Sequence, residues 1–439
     1  MSSIHTLDHR HIWHPAAQMK DYLDFKPIVI EKAHGCFLFT NDGRRIIDAV
    51  ASWWCKSLGH NHPRLKQALL RQLEQFEHVI LANTTNATIV RLGEALASLS
   101  PQLTRSFFAS DGSCAVEIAM KMSLHAHQIQ GESQRTRFIT LENGYHGETA
   151  AALSVSDVGL YRNPYRALLF DPVVLTGLPY RKGENDPQWR QCQQEWAQIL
   201  PQLEPYKETA TAVIVEPVVQ GAGGMKMYSP ALLAYLRQWC HQQGVHLIAD
   251  EIMTGIGRTG KMLAVQHADV EADFVCLSKG LTSGFLPLSV VLTHEGIYQT
   301  FYDDYETGKA FLHSHTFSGN ALAAAVALEV LAIMHEQAIA EQACTLGRQM
   351  LLAMQGIADR TQLLCKVRSV GAIVAADLVN TQGIERAGYK VYQQAVARGA
   401  LLRNLGDTLY WLPPLTMTED TLQELATITE EALVAGMSS

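Results

Sequence analysis

Lys279 lies twenty-nine residues beyond Asp250, and each closes a short apolar run, 245–251 and 273–280. A carboxylate and an amine brought together in a dry pocket suit chemistry at a carbon next to an imine. The carboxylate can keep a ring nitrogen protonated, so that the ring accepts the electrons of a carbanion. The amine, its charge disfavoured by burial, can form a Schiff base with an aldehyde and then shuttle a proton. Each residue alone has a plainer reading: Asp250 and Glu251 start a helix after a strand, and Lys279 caps a helix C-terminus. Glu216 ends a third apolar run. Charged residues closing three consecutive runs fit the rule that ligands of open α/β sheets bind at the strands' carboxyl ends.

Such positioning demands buried strands. Apolar runs of strand length recur at 106–109, 137–141, 212–216 and 288–293, in addition to the two above, with segments of helical period between them. Continuous rather than alternating apolar runs predict strands covered on both faces, hence an α/β domain over residues 60–325. Before it, residues 35–44 predict two short strands joined by a turn at Asn41-Asp42-Gly43. After it, a helix rich in Ala and Leu leads to a C-terminal α+β segment. The two ends, 1–59 and 326–439, lack core enough to stand alone, so one smaller domain beside the sheet is expected. Residues 177–187 read as a polar surface insertion.

With 439 residues, 47% hydrophobic and 18% charged, the chain has the balance of a soluble globular protein with room for two domains. The net charge of −8 is spread without a basic block, which argues against nucleic acid or an anionic membrane as partner and leaves small molecules. The longest apolar stretch, 321–334, is too short for a bilayer and carries Glu329, so a buried helix is expected. The first ten residues lack the apolar core of a secretory signal and the arginine-rich pattern of a transit peptide, which makes a cytoplasmic location the expectation. Eight cysteines without a C-x-x-C pair and eighteen histidines without a recognised metal motif point to reduced thiols and no metal site.

Ser110-Asp111-Gly112-Ser113 follows a strand and opens a segment, 114–127, of helical spacing. A helix N-terminus after a turn of small residues can hold an anion, although a plain N-cap by Ser or Asp explains the same residues.

The run from Asp250 through Glu251-Ile252-Met253-Thr254-Gly255-Ile256-Gly257-Arg258-Thr259-Gly260, with Ser278-Lys279-Gly280 downstream, resembles the signature of the class III pyridoxal phosphate-dependent aminotransferases. The resemblance implies the type I aminotransferase fold, an α/β architecture with a large, mostly parallel, seven-stranded sheet domain and a smaller α+β domain. It also implies pyridoxal 5'-phosphate as cofactor and a homodimer with shared active sites. Four further motifs are His11-Ile12-Trp13-His14-Pro15, Ala51-Ser52-Trp53-Trp54, the run from Asn143 to Thr149, and the run from Val218 to Met225. Together they resemble the branch that converts 8-amino-7-oxononanoate to 7,8-diaminononanoate in biotin biosynthesis.

Carried over by position, the resemblance gives Lys279 the cofactor's aldehyde and Asp250 its pyridine nitrogen. Gly112 and Ser113 hold the phosphate from one subunit, and Thr316, with His315 beside it, reaches it from the other. Tyr145 lies against the cofactor ring, an ordinary core tyrosine being the alternative. Arg403 receives the substrate carboxylate, since a guanidinium fork suits that anion. Trp53 covers the substrate's methylene chain, Ser314 and Tyr410 line the site, and Trp54 reads as structural. The implied amino donor is S-adenosyl-L-methionine. Relatives using it commonly carry tyrosine where this chain has Ala16, and segments 284–288 and 301–306 resemble relatives that use lysine, so lysine stands as the alternative donor. Another class III ω-aminotransferase reaction, or an aminomutase or decarboxylase using the same apparatus, are further readings.

Overall fold

Seven strands form the central sheet of the computed structural model, which describes residues 3–379 and 383–438. Residues 1 and 2, part of the N-terminal stretch read above, lie outside the described residues, as do 380–382 and 439. In chain order the strands are β1 (Arg105–Ala109), β2 (Arg137–Leu141), β3 (Val173–Leu175), β4 (Ala210–Val215), β5 (His246–Asp250), β6 (Phe274–Leu277) and β7 (Ser289–Thr293). They lie side by side as β1-β7-β6-β5-β4-β2-β3, and only β7 runs against the rest. Every residue of β4, β6 and β7 is buried. Their unbroken apolar character follows from cover on both faces.

Helix α1 (Gly112–Ile129) packs on this sheet through Val116, Ala119, Met120 and Met122, all buried. Helices α2 (Ala321–Glu336) and α3 (Ile339–Thr361) follow the sheet, and α2 is the buried Ala/Leu helix expected at 321–334. Among the described residues no single helix is long and apolar enough to cross a membrane.

The chain's two ends share a sheet. Strands Ile30–His34, Phe37–Thr40 and Arg45–Asp48 are continued by Ala400–Leu401, which runs parallel to the third. The turn expected at 41–43 is present, but it joins the second and third of three strands. A second four-stranded sheet holds Leu364–Val370, Ile373–Leu378, Thr408–Trp411 and Arg403–Leu405.

The segment 177–187 departs from its reading as a surface insertion. Tyr180–Arg181 pairs with Lys226–Tyr228, Leu178 and Pro179 are buried, and Gly183 bridges to Ser369. A Cβ at Gly183 would stand 1.7 Å from the Ser369 carbonyl oxygen, so the close approach requires glycine. Tyr180, Arg181, Lys182 and Asp186 line a cleft, whereas Glu184 and Asn185 are exposed as that reading expected.

The loop after β5 folds back under the sheet and is pinned there by polar side chains. His267 Nε2 donates to the Thr259 carbonyl at 3.0 Å, and buried Arg258 donates to the carbonyls of Ala372 and Pro413 at 3.2 and 2.7 Å. Burial pulls the imidazole of His267 down from 6.5 to about 4. The unfolded chain therefore takes up a proton between pH 6.5 and 4 that the folded chain refuses. His267 thus contributes stability that is complete above 6.5 and is lost as pH falls towards 4. Denaturant unfolding at about pH 7 and about pH 5 should differ by about 2 kcal/mol on its account, and His267→Gln should flatten that difference. An equal pH dependence in the variant would assign the loss to other groups.

Candidate active site

Three neighbouring parallel strands end at one edge and deliver charged side chains there. Glu216 follows β4 directly, Asp250 closes β5, and Lys279 comes two residues after β6, whose Cys276 lies opposite Asp250. Asp250 is 4% exposed. Its Oδ1 accepts the Ile252 N–H at 3.2 Å, and its Oδ2 lies 2.8 Å from His146 Nδ1, which donates to it. The other ring nitrogen of His146 is buried without a hydrogen-bond partner among the described residues.

Lys279 is half-buried, with φ of 39°, a left-handed conformation uncommon for a residue with a side chain. Burial draws its ammonium below the ordinary lysine value, against the pull of the Asp250 and Glu216 carboxylates. Its Nζ stands 4.6 Å from the ring of Trp54. Burial also pushes Glu216 up to about 7, with Asp250 adding to the rise and His146 opposing it. The Glu216 oxygens accept the N–H groups of Tyr145 and Gly221, each at 2.9 Å.

The start of α1 faces these groups. Asp111 is its N-cap, Oδ1 accepting the Cys114 N–H at 3.0 Å, which leaves the first N–H groups of the helix pointing at the cavity. The N-cap reading therefore holds, with Asp111 as the cap. A Cβ on Gly112 would come 2.9 Å from Ile252 Cδ1. One on Gly147, whose φ is 126°, would come 2.1 Å from Ser113 Oγ, so Gly147 lets the 143–149 loop approach the helix start, while Gly112 lets the helix start approach Ile252. Asp111, Cys114 and His315 each bring one ligand atom within 4.8 Å of the others. Asp111 is already spent there on the Cys114 N–H and thiol.

Tyr145 joins the same wall. Its hydroxyl donates to Glu148 Oε1 at 2.9 Å, and burial, then that carboxylate, hold the phenol protonated well above the usual range.

Together these groups line a chamber of about 210 Å³. It opens into an outer cleft of about 1250 Å³, the two sharing Trp53, Tyr161, Ala222, Arg403 and Leu405. The larger space lacks Asp250 and Lys279, so the chemistry belongs to the smaller one and the cleft is its approach. Arg403 stands at the boundary with its guanidinium carbon 3.7 Å from the Trp53 ring centre. Among the described residues it makes no hydrogen bond or ion pair. Ala16 lies in the wall of the outer cleft, at φ of 49°.

Residues 51–54 carry the two tryptophans on an unusual backbone. Ala51, Ser52, Trp53 and Trp54 have φ of 46°, 44°, 73° and 71°, and the N–H groups of Trp54 and Cys55 return to the carbonyls of Val50 and Ala51. The result is one turn of left-handed helix, which costs L-residues about 1–2 kcal/mol each.

The remaining sequence-derived residues fall elsewhere. Tyr410 is fully buried behind Trp54, accepting its indole N–H at 3.0 Å, and lines neither cavity. Ser314 and Thr316 are exposed. The Thr316 carbonyl accepts from His78 Nε2 at 2.9 Å, and His315 Nδ1 lies 3.2 Å from Ser110 Oγ, at the turn into α1. None of the three lines either cavity within one chain. Sequence reasoning passed over His146 within its motif and set Trp54 aside, although Trp54 forms part of the inner wall over Lys279. The alternation of Trp53 and Trp54 towards two different cations had no signal in composition.

The residues present suit pyridoxal phosphate: a half-buried lysine for an aldehyde, a buried carboxylate for a ring nitrogen, and a helix start cleared of side-chain atoms for a phosphate.

The model of the aminotransferase class-III family matches residues 18–433. Adenosylmethionine-8-amino-7-oxononanoate aminotransferase of Helicobacter pylori is 37% identical over 422 residues, covering 95% of this chain and 94% of that one. The protein of the same name from Synechococcus elongatus is 37% identical over 421 residues, with 95% and 97% covered. Among solved structures, the Methanocaldococcus jannaschii protein of that name superposes with a TM-score of 0.90 at 30% identity, covering 98% of both chains. An amine transaminase from an uncultivated Pseudomonas species, solved with pyridoxal phosphate bound, gives a TM-score of 0.88 at 32% identity, covering 97% of this chain and 98% of that one. The strand order, the chamber at the strand ends and a family match over almost the whole length agree: this chain belongs to the class III aminotransferases.

Proposed function

We propose that this protein is a pyridoxal phosphate-dependent aminotransferase that converts 8-amino-7-oxononanoate to 7,8-diaminononanoate in biotin biosynthesis, with S-adenosyl-L-methionine as amino donor. The observation that carries the reading is the placement of Asp250 and Lys279 on adjacent strand ends in one chamber, with Arg403, unpaired among the described residues, at its mouth. The names of the full-length relatives supply the acceptor and the donor.

Pyridoxal phosphate, when bound, supplies an electron sink and carries the amino group between the two half-reactions. The chain's own residues do the rest. Asp250, aimed by His146 and the Ile252 N–H, is the acceptor for a protonated ring nitrogen. The N–H groups of Gly112 and Ser113 take the phosphate. Lys279, its ammonium disfavoured by burial, would hold and move the proton at the substrate carbon. Tyr145, in the chamber wall, would help keep water away from the bound group. Arg403 takes the acceptor's carboxylate while Trp53 covers its methylene chain.

The reading includes a cytoplasmic homodimer. Support comes from Tyr305, Leu312 and Phe317, which are 95%, 92% and 54% exposed beside Thr316, a row of apolar surface that a second copy would cover. Light scattering should therefore give twice the chain mass; a monomer would remove Thr316 and His315 from the site.

Purified protein supplied with 8-amino-7-oxononanoate should form the diamine faster with adenosylmethionine than with lysine. Turnover with neither overturns the acceptor, and faster turnover with lysine overturns the donor alone. Lys279→Ala should lower turnover by about a thousandfold or more, as loss of the proton carrier requires. Arg403→Leu should raise KM for the acceptor by about 10- to 100-fold with a smaller change in kcat, the signature of lost ground-state binding to a charged group. A fall confined to kcat would move Arg403 from binding to chemistry.

A further inference from the structure

Residues 51–54 are the only consecutive non-glycine residues with positive φ among the described residues. A backbone held in this form needs a partner that over-determines it. Asp48 is that partner. Its side chain is fully buried. Oδ1 accepts the N–H groups of Val50 and Ser52 at 3.3 and 3.0 Å, and Oδ2 accepts the Ser52 hydroxyl at 2.7 Å and His60 Nε2 at 2.8 Å. His60 is itself 8% exposed and exchanges backbone hydrogen bonds with Gly35, which fixes it to the N-terminal sheet.

The hand of the turn decides where the tryptophans point. It lays the ring of Trp53 beside the Arg403 guanidinium and that of Trp54 beside the Lys279 amine, at 3.7 and 4.6 Å. A right-handed turn over the same four residues would send the two indoles to other faces.

We infer that Asp48, with His60, is a positioning pair for substrate selection: its four-donor carboxylate holds the 51–54 turn left-handed and so seats Arg403 on Trp53 with its N–H edge free for a carboxylate. This rests on the reading of Arg403 as the receptor of the acceptor's carboxylate. Neither Asp48 nor His60 lines the cavities, so their influence travels through the turn.

The test uses the holoenzyme and compares 8-amino-7-oxononanoate with its methyl ester. The unmodified enzyme should prefer the acid, and Asp48→Ala should reduce that preference by about tenfold or more, because the ester needs no guanidinium. A role in stability alone would lower both substrates equally and leave the ratio intact, which would overturn the inference. Ser52→Gly in the Asp48→Ala background should recover part of the ratio, since glycine takes positive φ without steric cost. Hydrogen exchange supplies a readout without turnover. The amides of Trp54 and Cys55, bonded to Val50 and Ala51 in the turn, should lose protection in Asp48→Ala, and full protection would also overturn the inference. Asp48→Asn, which retains one acceptor oxygen, carries the same comparisons if the alanine variant does not fold. If the unmodified enzyme accepts neither acid nor ester, the functional reading fails, and exchange still decides whether Asp48 holds the turn.

Discussion

The parallel register of β5 against β6, with Asp250 opposite Cys276, is the constraint on which the site depends. It brings a carboxylate and an amine to one sheet edge, the first buried and the second half-buried. A slip of one residue would turn Asp250 to the other face of the sheet and leave a charge buried without its donors. The compensation at that edge is unequal. Asp250 has two hydrogen-bond donors and Glu216 has two, whereas the Lys279 amine makes no hydrogen bond among the described residues and lies beside the face of an indole. Burial lowers its ammonium against the pull of the two carboxylates, which favours the uncharged amine that a proton acceptor needs.

Outside the chamber the balance reverses. Arg403 carries a permanent charge with no carboxylate partner among the described residues, at a boundary half closed by Trp53. An aromatic face attracts the cation but offers none of its five donors an acceptor. A bound carboxylate would satisfy them, which is the role proposed for Arg403. Its walls come from distant stretches of chain: Ala16 and Trp53 from one end, Arg403 and Leu405 from the other, and Tyr180 from the middle. The sharing of one sheet by residues 30–48 and 400–401 is what brings the outer stretches together.

Legibility in the sequence followed the range of the forces involved. The strands were readable because burial on both faces writes itself into consecutive residues, as in the wholly buried β4. Asp250, Lys279 and the α1 start were readable for the same reason, each being tied to a strand end. Tyr410 was not, because its partner is the indole of Trp54 from a distant part of the chain, and only the fold decides that it stands behind the wall instead of in it. The segment 177–187 misled because residues facing a cleft and residues facing open solvent have the same composition. The left-handed turn at 51–54 was invisible for a stricter reason: no glycine or asparagine marks it, and the carboxylate that stabilises it stands outside the four residues.

On the proposed reading the donor is selected in the outer cleft, whose wall carries Ala16 where relatives commonly have tyrosine. Losing that side chain removes a hydrogen-bonding group but adds space, and the cleft measures about 1250 Å³ against about 210 Å³ for the inner chamber. Phenols are not lacking there. Tyr22, Tyr389 and Tyr392 line the same cleft, and burial shifts the ionisation of all three to higher pH, Tyr392 to about 12, so they remain hydrogen-bond donors at neutral pH. A lysine donor would leave most of this space to water, whereas a donor carrying a flat heterocycle could stack on aromatic faces and displace it. On size and surface chemistry, the wall around Ala16 suits the larger donor, and the missing tyrosine shifts recognition to its neighbours without closing the cleft.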